Sequence, residues 1–209
     1  MGDKTPRHKL DEIGQILKSD EYDSKTLSDC FSKLSLIVEI EPSLAEDVFS
    51  LFKIALESDI NDGIFLDEAY RSLYEIARNQ PVLSEGVFSL FKIALKSDKN
   101  DSFSLRNAYR VLGRAVLKQP KLAKDVLPLF NTALESDKND SDSLQDASSE
   151  LSVIVEQLPN NIFIKKQYME KIKEKMESFE KTDLEEYSET KKTLSPQTLF
   201  NLRLQKKDR

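Results

Sequence analysis

Cysteine and histidine are almost missing from this chain. One cysteine, Cys30, excludes an internal disulfide and suits a reducing compartment. The single histidine, His8, lies in a polar end expected to fray. It therefore lacks the fixed partner that a catalytic or metal-binding imidazole needs. No apolar run approaches the roughly 18 residues of a membrane-spanning helix, and the N-terminus lacks a signal-peptide core. Met1-Gly2 opens like a myristoylation site, but Pro6 stands where serine or threonine is required. The net charge is −6 and the pI about 5.1, which argues against general nucleic-acid binding. No catalytic constellation is found, so no enzyme activity, cofactor or metal is expected. The composition reads as a soluble cytoplasmic protein.

What the chain does have is a repeat. Four prolines, Pro42, Pro81, Pro120 and Pro159, mark a period of 39 residues. The stretches from Pro42 to Gln80 and from Pro81 to Gln119 agree at about 22 of 39 positions, and VFSLFKIAL occurs twice verbatim. Asp59, Asp98 and Asp137 fall in one column; Asn61, Asn100 and Asn139 fall in another. The repeats span about 3–41, 42–80, 81–119 and 120–158, the first of them degenerate.

Each copy holds two apolar patterns separated by a polar break. Leu83, Val87, Leu90, Phe91, Ala94 and Leu95 recur at spacings of three and four, which is one face of a helix. Leu105, Ala108, Tyr109, Leu112, Ala115 and Val116 do the same after SDKNDS, a stretch whose side chains bond local backbone and so end one helix and start another. The proline stops the second helix and suits the first turn of the next. Pro128 is expected to kink or delay the helix that contains it. A lone helix pair cannot cover both of its apolar faces, so successive pairs must stack.

Cys30 sits in the column of Ala69, Ala108 and Ala147, a small buried position, and reads as a packed thiol. The SD-x-ND loops resemble calcium ligands in composition, yet the sixth-position glycine and twelfth-position glutamate of a calcium loop are missing. Turn formation and helix capping account for them. From Ile162 a long amphipathic pattern follows, with Tyr168, Met169, Ile172, Met176 and Phe179 on one face. The expected organisation is a frayed end over 1–8, an array over 9–158, a capping helix over 159–187 and a loosely held or disordered tail over 188–209.

The segment from Pro120 to Pro159 resembles a HEAT repeat in its initial proline, the LPLF of its first helix and its inter-helix aspartate. Leu105–Arg106 before an alanine adds to the likeness. The turn is longer than the family's, and the mid-helix proline is present only as Pro128. Tetratricopeptide repeats are the runner-up, since AYRVLGRAVLKQ is similar to their first helix; their usual period is about 34. The implied fold is all-α, a right-handed α-solenoid of about four helix–turn–helix repeats with a C-terminal capping helix.

The sharpest surface signal is on the second helices. Arg106, Arg110 and Arg114 are spaced by four and share a helix face. Arg71 occupies the column of Arg110, and Tyr74 and Arg78 continue its face. The resemblance implies that second helices line a concave wall, where arginines would take the carboxylates of an acidic partner segment. The competing reading is that Asp67, Glu68 and Glu75 neutralise them as ordinary surface pairs. The expected function is a non-enzymatic protein-interaction scaffold. Nucleic-acid binding by a HEAT-like basic face and end-to-end structural assembly are the alternatives.

Overall fold

The computed structural model describes residues 5–19, 22–58, 63–159 and 161–193, the side chains as far as 178. Asp59, Asn61 and residues 194–209 of the expected tail lie outside the described residues. Among the described residues all regular structure is helical: α1 (Pro6–Lys18), α2 (Ser24–Ile40), α3 (Ala45–Leu56), α4 (Gly63–Asn79), α5 (Ser84–Leu95), α6 (Ser102–Lys118), α7 (Ala123–Glu135), α8 (Ser141–Glu156) and α9 (Asn161–Thr193). The chain divides between Ile172 and Lys173 into two compact units.

Two kinds of corner join the helices, and each follows from its residues. Glu41, Gln80 and Gln119 precede prolines and are held extended, with φ between −130° and −138° and ψ between 72° and 83°. A short 3₁₀ turn follows at Pro42–Leu44, Pro81–Leu83 and Pro120–Leu122 before the next helix begins. The proline loses nothing there, because its position has no intrahelical bond to donate. At the other corner an aspartate caps α2, α6 and α8. Asp23 accepts from the Thr26 amide at 2.8 Å, Asp101 from the Ser104 amide at 2.7 Å and Asp140 from the Ser143 amide at 2.7 Å. Ser104 and Ser143 return the bond to the cap residue's own amide, completing a reciprocal box.

Two of the expected boundaries are corrected. Residues 6–8 are helical rather than frayed, because Thr5 accepts from the His8 amide and Pro6 sits in the first turn. At the other end α9 runs to Thr193, past the expected limit of 187. Pro128 does not delay α7: the helix starts at Ala123, the position of Ala45 and Ser84 in the earlier copies.

The helices pack by parity. The second helices contact one another in sequence, α2 on α4, α4 on α6 and α6 on α8; the first helices do likewise, α1 on α3, α3 on α5 and α5 on α7. Aromatic rings cross between successive pairs in one recurring place. Phe31 stacks on Phe52 with centroids 4.9 Å apart, Tyr70 on Phe91 at 5.8 Å and Tyr109 meets Phe130 at 4.9 Å. All six are buried at 2% exposure or less. Each buried ring removes a large apolar area from water, worth about 25 cal/mol per Å². The next step of the ladder is Ser148 Oγ beside Met169 Sδ at 3.5 Å, so α9 begins where another first helix would stand. Tyr168 also meets Phe130 edge-on, and Ile172 is buried. Cys30 is buried too, and burial pushes its thiol pKa up, so it packs as the small residue its column demands.

Within the second unit Lys173 pairs with Glu177 at 3.5 Å one turn on, and Ser178 Oγ donates to the Lys175 carbonyl. Met176 is half-buried, and the Phe179 side chain lies outside the described residues. No helix among the described residues is long and apolar enough to cross a membrane.

Candidate partner-binding surface

The six expected site residues occupy α4 and α6, which pack side by side. Their surroundings are more acidic than the arginine pattern alone suggests. Arg71 Nη2 lies 2.9 Å from Asp67 Oδ2 and its Nε 4.0 Å from Glu68. Arg78 pairs with Glu75 at 3.1 Å. Tyr74, the aromatic member, is buried at 9% exposure.

On α6 the partners come from the following helix pair. Asp146 Oδ2 receives Arg106 Nε at 2.9 Å and Arg110 Nη2 at 3.0 Å, and Asp142 lies 3.4 Å from Arg106 Nη1. Two guanidinium groups therefore close on one carboxylate, and their exposures of 32% and 43% reflect it. The residues that bring this about, Asp142, Asp146 and Glu150, were missed in the sequence because only neighbours within one helix were weighed. The signal was there: residues that meet across the pairs differ by 36 or 40, one period adjusted by part of a helical turn.

The same junction recurs with different chemistry. Glu68 accepts from Ser32 Oγ at 2.6 Å, and Asn107 Nδ2 donates to the Asp67 carbonyl at 3.4 Å. Glu68, Asn107 and Asp146 share one column of the repeat, so this column carries polar contacts to the preceding second helix. The aspartate at the α6–α8 step is thus one member of a series of contacts between successive second helices.

Arg114 differs from the others. It forms no ion pair within 4 Å among the described residues and is exposed. Its charge acts on Glu150, which burial pushes above the usual carboxylate range while Arg114 and Arg110 pull it back. Glu150 folds over Gly113, and a Cβ at that glycine would stand 2.9 Å from its carboxyl carbon. The bare backbone of Gly113 makes room for the carboxylate. Asp67 is a second strained acid: desolvation raises its pKa against the pull of Arg71, and its Oδ1 finds no hydrogen-bond partner.

The polar loop residues are also spoken for. Asn100 and Asn139 are buried, and Asp101 and Asp140 are helix caps. Among the described residues no group of three or more His, Cys, Asp or Glu could hold a metal ion.

No family model, curated protein or solved structure matches the chain. Function must therefore be argued from the surface itself.

Proposed function

We propose that this chain is a non-enzymatic interaction scaffold built as a right-handed, HEAT-like α-solenoid of four 39-residue helix pairs, closed by the start of α9. Its second helices form the concave wall, and that wall holds an acidic segment of a protein partner. Support comes from the packing by parity: α4, with Arg71 and Arg78, lies beside α6, with Arg106, Arg110 and Arg114, and Arg71 and Arg110 hold the same place in the repeat. Asp146 is shared by Arg106 and Arg110, yet each guanidinium keeps part of its surface open, so an arriving carboxylate competes with Asp146 for the same donors.

The observation that carries the reading is Arg114, an exposed guanidinium with no ion pair among the described residues, on the helix that carries Arg106 and Arg110. The test is a titration of the full chain with a fluorescein-labelled peptide of alternating glutamate and leucine, read by anisotropy. Arg71→Gln with Arg114→Gln takes an opposite charge from Asp67 and Glu150 and should lower the melting temperature somewhat; on folded protein, checked by circular dichroism, it should weaken binding about tenfold. Equal affinity in the double variant would remove this wall as the binding surface.

A further inference from the structure

Beyond the wall, we infer that the groove between the Pro81 and Pro120 corners is a docking place for the acidic segment. This rests on the scaffold reading and names a second anchor for the same partner. The groove is open, about 620 Å³ in volume, and lined by Arg78, Pro81, Lys118, Gln119, Pro120 and Lys121. Three of the six residues are cationic and none is acidic.

The charge here is uncommitted, unlike that of the wall. Lys118 and Lys121 are both exposed and pair with no described carboxylate; only Arg78 has one, Glu75. On a chain with net charge −6 such a surplus is local and pulls an anionic segment toward this corner. The floor is rigid. Gln119 is the last residue before Pro120, and its Nε2 donates to the Ala77 carbonyl of α4 at 3.0 Å, tying the two corners together. Val82 and Leu117, chain neighbours of lining residues, are exposed at 87% and 60%. The pyrrolidine rings of Pro81 and Pro120 give apolar footing beside the cations. The occupant that fits is a short acidic peptide stretch carrying an apolar side chain. Nucleic acid fits less well, since three cations neutralise few phosphates on an otherwise acidic body.

The test uses the full-length chain and the same glutamate–leucine peptide. Lys118→Glu with Lys121→Glu reverses two exposed, unpaired charges and should leave the melting temperature unchanged while weakening the peptide about tenfold. In an NMR titration the amides of Arg78, Gln80, Val82, Lys118, Gln119 and Lys121 should shift in the wild-type chain. Unchanged affinity in the Lys118/Lys121 variant would overturn the groove, and if the Arg71/Arg114 variant alone loses binding the wall stands without it. Loss in the lysine variant alone would keep the groove and remove the wall. A chain that binds the peptide nowhere overturns both. A single-stranded DNA twelve-mer that binds these residues more tightly than the peptide would overturn the assignment to a protein partner.

Discussion

The Tyr70 hydroxyl donates to Asn100 Oδ1 at 2.8 Å, and the bond crosses from α4 to the loop that precedes α6. Tyr109 repeats it with Asn139 at 2.9 Å. Each asparagine then turns its amide back on the end of the preceding first helix: Asn100 Nδ2 donates to the carbonyls of Ala94 and Ser97, and Asn139 Nδ2 to those of Ala133 and Ser136. Ser104 and Ser143 add a second donor to the oxygen. One buried side chain closes a helix end, receives the neighbouring pair and meets the cap of the next helix. Burial pushes both tyrosine pKa values well above the usual phenol range, so the hydroxyls remain donors.

Removing the hydroxyl should cost less than removing the amide. Tyr70→Phe leaves Asn100 its serine donor and should lower stability by about 1 kcal/mol in urea denaturation. Asn100→Leu strands a buried phenol and takes the side-chain donor from the Ala94 and Ser97 carbonyls, which keep only their backbone donors, and should cost about 3 kcal/mol. Equal losses in the two variants would mean that the asparagine acts through the tyrosine alone.

The columns of the repeat made these residues visible in the sequence but not their role. Asn100 and Asn139 stood out, yet Asn in a polar break is also the ordinary composition of a turn, and periodicity cannot distinguish a solvated asparagine from a buried one. The fourth copy holds the clue. Ser148 replaces Tyr70 and Tyr109 at the step where no further asparagine loop follows and α9 begins instead. The helices, their corners and the aromatic core could be read because spacing and proline position dictate them locally. The partners of the arginines could not, since they depend on how one helix pair lies on the next. Arg106 and Asp146 are 40 residues apart, and no pattern within a single helix joins them.

Asp67 should make the chain less stable as pH rises through the acidic range. Its folded-state pKa is raised by desolvation, so the protonated form suits the folded chain better than the carboxylate. That preference is fully present below the ordinary value of 3.8 and is lost as pH climbs through the raised folded value. Asp67→Asn keeps the shape and removes the titration. Measured by urea denaturation, the variant should gain on the wild type between pH 3 and pH 7, with the larger gain at the higher pH. A difference that stays constant with pH would show that the carboxyl titrates alike in the folded and unfolded chain.

Asp146 sets stacking against recognition. It is the shared acceptor of Arg106 and Arg110, and the hydrogen bond from Arg106 holds that guanidinium protonated more firmly than usual. Asp146→Ala leaves both groups without it, only the more exposed Asp142 remaining near Arg106. The α6–α8 contact should weaken, lowering the melting temperature, and added salt should narrow the gap to wild type because part of the lost attraction is screened in either chain. The freed guanidinium groups should at the same time hold the glutamate–leucine peptide more tightly than wild type does. Anisotropy titration at low salt on folded protein checks this. If stability falls and affinity does not rise, Arg106 and Arg110 belong to the stacking of helices, and the partner's carboxylates must be met by Arg114 and the corner lysines.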